Sequence, residues 1–203
     1  MTKAVWSAGL RLAAAVGLVL APVSCGSLTR QGTASSYLLV NELVAAPGGD
    51  PSNFSATLFS DVITVVDDVP TVFADNARVS FGLGLKDPGS ASSPNQPSAN
   101  NYITLDRYHV EYIRADGRNQ QGVDVPYAFD GAMTFTVTGE RNETFEIVRH
   151  VAKSEAPLAN LARSPVIINT IARVTFYGHD QTGRSVSTTS TISIEFGNFG
   201  DPN

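Results

Sequence analysis

The sequence predicts an all-β domain built from two packed sheets, and three observations carry that expectation. Apolar residues recur with period two along one segment after another, the mark of strands with one buried face. Clusters of Gly, Pro, Asn, Asp and Ser separate those segments, and these are the residues that reverse a chain. Helical patterning is nearly absent. Ser154–Ala162 (SEAPLANLA) is the one place for a turn or two of helix, with Ser154 as its N-cap.

The strands follow in order. Tyr37–Val44 and Ala56–Val66 are the first two candidates. Val79, Phe81, Leu83 and Leu85 then alternate with Arg78, Ser80, Gly82 and Gly84. Along Tyr102–Ile113 the parity switches: Ile103 and Leu105 are odd, whereas Tyr108, Val110 and Tyr112 are even. One extra residue near Asp106-Arg107 restores the facing, so a β-bulge is expected there. Met133, Phe135 and Val137 alternate with threonines, and Phe145 and Ile147 oppose Glu146 and His150.

Val166–Tyr177 is apolar on both faces, as in a central strand. In Ser185–Phe196, Val186, Ile192, Ile194 and Phe196 share one face, and Ser187, Thr189, Thr191 and Ser193 share the other. With Gly178–Gly183 as the turn, residues 166–197 form a long antiparallel hairpin. The total is about eight strands.

That final hairpin resembles those of bacterial immunoglobulin-like and fibronectin type III modules. The resemblance implies an immunoglobulin-like antiparallel β-sandwich of about eight strands and carries no activity with it. Residues 36–199 fit one such domain, and two loops hold its excess length. Asp87–Asn101 (DPGSASSPNQPSANN) has the composition of a disordered segment. Arg114–Gly131 carries Val125, Tyr127 and Phe129 and is expected to pack on the domain.

The chain starts with Lys3 and Arg11, an uncharged run from Leu12 to Val23, and then Ser24-Cys25-Gly26. The run is too short for a membrane-spanning helix, which needs about 20 apolar residues, and has the layout of an export signal. Val23, Ser24 and Cys25 resemble the end of a bacterial lipoprotein signal peptide, with Pro22 where that family carries Leu. The resemblance implies cleavage after residue 24, lipidation of Cys25, and attachment to the outer membrane, because Gly26 is not the retaining Asp. Residues 25–35 then read as a polar tether. Ordinary cleavage would instead give a periplasmic or secreted protein.

Cys25 is the only cysteine, so the domain has no internal disulfide. Removing residues 1–24 takes the formal charge from −5 to −7. Such an acidic chain argues against nucleic acid as a partner.

Sequence motifs for chemistry are sparse. His109, His150 and His179 lack metal-ligand spacing; the first two fall in strands and the third in a turn. No G-x-S-x-G elbow and no phosphate-cradling glycine loop occurs. Glu111 and Glu146 stand on polar strand faces, where solvated charge explains them better than a glycosidase pair. Asp116, Asp124 and Asp130 supply hard oxygens for a calcium ion, and Asp67-Asp68 with Asp75-Asn76 form a second acidic patch. Tyr127 and Phe129 are candidate contact residues, since aromatic anchors dominate interfaces; the alternative is that both rings cap the core.

The expected protein is a non-catalytic lipoprotein of the cell envelope, held to the membrane through Cys25. It needs no cofactor, and its partner is an envelope protein or glycan. A calcium- or carbohydrate-binding exported module is the alternative.

Overall fold

The computed structural model describes residues 33–200; the expected signal segment, Cys25 and the expected tether as far as residue 32 lie outside the described residues. In chain order the strands are β1 (Ser36–Ala46), β2 (Thr57–Asp61), β3 (Thr64–Val66), β4 (Val69–Thr71), β5 (Asp75–Leu85), β6 (Gly89–Ser90), β7 (Ser93–Pro94), β8 (Ile103–Ile113), β9 (Phe129–Val137), β10 (Arg141–Val148), β11 (Ile168–Asp180) and β12 (Ser185–Gly197). One short helix, α1 (His150–Lys153), and 3-10 turns at Ala99–Asn101 and Leu158–Arg163 complete the set.

Eight strands form the sandwich. One sheet has the order β1-β5-β10 and the other β2-β12-β11-β8-β9, while β3-β4 and β6-β7 are separate two-stranded ladders. This is the immunoglobulin arrangement: β1, β5 and β10 stand for strands A, B and E, and β9, β8, β11 and β12 for C′, C, F and G. The sheets are antiparallel throughout except at one edge, where β2 runs parallel to β12 with Ser193 opposite Thr57. The 123 residues that lie between Asp61 and Ser185 make the crossover that a parallel pair requires.

Antibody domains join strands B and F with a disulfide. Here aromatic rings fill that place. Phe81 of β5 meets Phe176 of β11 edge-on at 4.9 Å between centroids, and Phe176 meets Phe145 of β10 at 5.5 Å. Tyr108 of β8 adds a contact to Phe145 at 4.7 Å. Each such pair contributes about 0.5–1.5 kcal/mol beyond its burial.

The bulge falls where the parity switch places it. Tyr177 pairs with Arg107 and Gly178 with Leu105, so Asp106 is the extra residue opposite β11; the pairing with β9 is also irregular at this point, with Met133 and Thr134 opposite Asp106. Ile103, Leu105, Tyr108, Val110 and Tyr112 are all buried as a result. Gly178 belongs to β11 and not to the turn: a Cβ there would lie 2.2 Å from the Thr104 carbonyl oxygen. The turn itself is shorter, with Gly183 at φ +81° and its N–H donating to the Asp180 carbonyl.

Other expectations change. Ala56–Val66 is two strands, because β2 ends at Asp61 and the chain leaves the sheet before β3. The outward face of β11 is solvated despite its apolar content, with Ile171 exposed. Ser154 closes α1 at its C-terminus and does not start a helix. His150 opens α1, and His179 lies within β11.

Asp87–Asn101 is ordered, against its composition. The Ser98 N–H and hydroxyl both donate to Asn101 Oδ1, Asn101 Nδ2 donates to Ser35 Oγ at 3.0 Å, and the Ser36 hydroxyl donates to the Asn101 carbonyl at 2.5 Å. Side-chain hydrogen bonds fasten this loop to the start of β1, in place of apolar burial.

The two ends of the sandwich differ. The proximal end holds Ser36, Leu85, Ile103, Val137 and the β11–β12 turn, so the chain enters there. The distal end holds Ala46, Asp75, Ile113, Phe129, Val148, Ile168 and Gly197.

Candidate functional site

Twelve large apolar side chains are exposed among the described residues. Eight lie in the distal connections: Val65, Val66, Val69, Val123, Tyr127, Val151, Val166 and Ile167. Phe59 and Ile171 sit on the distal halves of β2 and β11, and only Tyr37 and Leu39 lie near the proximal end. Scattered exposed apolar residues are normal on a protein surface. Their collection at one end is what marks a candidate binding surface.

A buried ion pair underlies that end. Asp75 and Lys153 meet at 2.8 Å with side chains 0% and 2% exposed. Asp75 also accepts from the Ser60 hydroxyl at 2.6 Å and the Gly48 N–H at 2.8 Å, and Lys153 donates to the Asp61 carbonyl at 2.8 Å. Four segments are thereby joined: the β1–β2 loop, β2, β5 and α1. Burial pushes the Asp75 carboxyl above its ordinary value, opposed by the Lys153 charge and these hydrogen bonds. With every partner inside the fold, the pair supports the distal loops and does not itself face a ligand.

The β3–β4 hairpin projects from this support. Val66 pairs with Val69 and Val65 with Pro70, leaving Asp67-Asp68 as a two-residue turn. Both aspartates have positive φ, 50° and 62°. Asn-Gly adopts such a turn easily, whereas a side-chain-bearing residue in this region costs about 1–2 kcal/mol. Val65, Val66 and Val69 are 39%, 43% and 59% exposed; the Val66–Val69 pair gives one face of the hairpin an apolar patch next to the two carboxylates, and Val65 lies on the other face with Pro70.

A second patch lies on the other side of the distal end. Val123, Val166 and Ile167 border a crevice of about 370 Å³ together with Arg114, Arg118 and Asp124. The Arg114–Gly131 loop packs on the domain as its composition predicts, and Val125 is buried. The two candidate aromatics separate. Phe129 is buried in β9, edge-on to Tyr108, with the Arg149 guanidinium 4.7 Å from its centroid. Tyr127 is half exposed and lies across Gly122, which has φ +76° and no room for a side chain.

The three calcium candidates each have separate protein partners. Asp116 is held by Arg114 at 2.6 Å and Arg118 at 2.9 Å, and the hydrogen bonds from Arg114 keep its carboxyl well below the usual carboxylate range. Asp124 accepts from the Gln120 N–H at 3.2 Å. Asp130 lies on β9 and contacts Arg107 and His109, each at 3.2 Å. Among the described residues, no three His, Cys, Asp or Glu side chains assemble a metal site.

The histidines are similarly dispersed. His109 pairs with Asp130 and His179 with Asp106 on the outer face of the larger sheet. None of the three lines the crevice beside Val123, the one of about 360 Å³ between β9 and β10, or the one of about 370 Å³ beside Ser35 and Asn101. At the β9–β10 crevice, Arg141 pairs with Glu143 and lies 5.1 Å from the Phe135 centroid. Charges set over an edge strand discourage addition of a further strand.

Comparison with protein-family models, with curated proteins and with solved structures finds no match for this chain.

The residues of greatest interest are therefore Val65, Val66, Asp67, Asp68 and Val69, which pattern reading treated as the end of a strand and an acidic patch. VVDDVP did carry a signal: two acids between β-branched residues fit a two-residue hairpin turn. Val166 and Ile167 carried none, since their exposure depends on which neighbouring strands end before reaching them.

Proposed function

We propose that the protein is a non-catalytic lipoprotein of the cell envelope that binds a partner with the end of its sandwich remote from its anchor. The observation that carries this reading is the opposition of the two ends. The chain enters beside Ser36, whereas the exposed apolar side chains collect at the far end. An anchor at Cys25 followed by the polar segment 25–35 leaves that far end free of the membrane. Eleven residues reach at most about 40 Å when extended, and an eleven-residue strand such as β1 adds about 36 Å. The distal surface would then work up to about 75 Å from the bilayer.

A non-catalytic role is supported by the dispersal of the histidines and by the internal engagement of the acids. Asp75 and Lys153 are the most buried charged pair, and their hydrogen bonds connect loops of the scaffold.

Metabolic labelling with a fatty acid, combined with membrane fractionation, tests the anchor. Label is expected in the wild type and not in Cys25→Ser, with the variant released from the outer membrane. Equal labelling of both, or none of the wild type, refutes the lipid anchor.

A further inference from the structure

We propose that the β3–β4 hairpin is a docking knob for a protein partner whose apolar groove is rimmed by lysine or arginine. This rests on the reading of the distal end as a binding surface and specifies the chemistry of what binds there. In this hairpin Val66 and Val69 stand directly opposite one another behind the Asp67-Asp68 turn. A three-residue ladder of this kind is not stable on its own. Asp61 holds its base, accepting from the Ile63 N–H at 3.4 Å and the Thr64 hydroxyl at 3.3 Å, while its valines stay partly exposed.

Charge determines the partner. Between residues 31 and 77 the chain carries Glu42, Asp50, Asp61, Asp67, Asp68 and Asp75 and not one Lys or Arg. Asp75 is neutralised internally by Lys153. Among the described residues, no cation forms a salt bridge with Asp67 or Asp68. Two adjacent carboxylates beside an apolar patch favour a cationic rim and repel an acidic one. The patch around Val123 gives no such direction, because Arg114 and Arg118 stand there with Asp116 and Asp124.

Two other occupants fit less well. An anionic lipid surface would be repelled by the same carboxylates. An added β-strand meets Pro70, which has no N–H to offer along β4. Recognition therefore runs through side chains, with the valines in the groove and the carboxylates on its rim.

The test places a photo-crosslinking amino acid at Val69 of the full chain, in the cells that make it, with Tyr37 and Val123 as control positions. A discrete protein adduct is expected at Val69 only, and its crosslinked peptide, sequenced by mass spectrometry, should carry Lys or Arg beside apolar residues. Asp67→Asn/Asp68→Gly keeps the turn and relieves its backbone strain, yet should lower the adduct yield about tenfold. Asp67→Lys/Asp68→Lys should abolish the adduct. The proposal is overturned by no adduct at Val69, by an adduct to lipid, to an acidic peptide or to a second copy of this chain, or by a yield indifferent to both double variants. Fatty-acid labelling is scored independently, so a failed anchor and a failed docking knob are distinguishable.

Discussion

Replacing Lys153 by Met keeps most of the side chain's length and removes its charge. The Asp75 carboxylate then stays 0% exposed with the Ser60 hydroxyl and the Gly48 N–H as its remaining hydrogen-bond donors. Breaking one side of a buried pair costs about 3–5 kcal/mol, and the Asp61 carbonyl loses a donor worth about 1 kcal/mol. Against a typical total of about 5–15 kcal/mol, the loss is severe. At about 2–4 °C per kcal/mol for a domain of this size, the melting temperature should fall by about 10–20 °C.

Asp75 also fixes the sign of the pH effect. Its folded-state pKa is raised above the ordinary 3.8, so the native state binds the proton more tightly than the unfolded state. Protonation therefore favours folding, and this contribution shrinks as the pH rises through the raised value. Lys153 opposes that rise, and its removal moves the value further up. The gap between wild type and Lys153→Met should accordingly narrow as the pH is lowered from 7.

Thermal and urea unfolding of residues 25–203 carrying Cys25→Ser, read from pH 7 downward, measure all of this. Lys153→Met/Asp75→Asn should recover much of the loss, because no unpaired charge remains buried. A single variant within about 1 kcal/mol of wild type, or a double variant no better than the single, would refute the assignment of this pair as the support of the distal end.

Two further outcomes follow from the β11–β12 turn and its neighbourhood. Gly178→Ala should destabilise by about 1–3 kcal/mol in the same assay, since its Cβ meets the Thr104 carbonyl at 2.2 Å; unchanged stability would mean that the bulge at Asp106 yields. Burial acts to raise the Asp180 carboxyl, but donors from the Thr182 hydroxyl and the Arg184 and Thr182 N–H groups outweigh it and hold the value below 3.8. Its stabilisation is present above pH 3.8 and disappears as the pH falls through the lowered value. Asp180→Asn should thus cost about 1–2 kcal/mol at pH 7 and progressively less as the pH falls below 3.8, and a cost independent of pH would contradict the carboxylate's role.

Particular residues show where pattern reading succeeds and stops. Ser185–Phe196 and the Asp106 bulge were legible because a strand's facing alternates with each residue, so burial imprints itself directly on the sequence. Asp87–Asn101 was misread because its order comes from Asn101 bonding to Ser35 and Ser36, partners 65 or 66 residues away. Lys153 and Asp75 are 78 residues apart, and no local pattern couples them. Val166–Tyr177 has apolar residues on both faces, but only the packing shows that Ile171 points to solvent.

Residues close together in the chain carry the all-β class, the strand faces and the bulge, because each of these depends on local alternation. Tertiary structure alone decided the parallel edge of β2, the buried ion pair, and above all the difference between the two ends. Which loops share an end depends on how strands distant in sequence pair, and that pairing gathers the exposed valines opposite the entering chain.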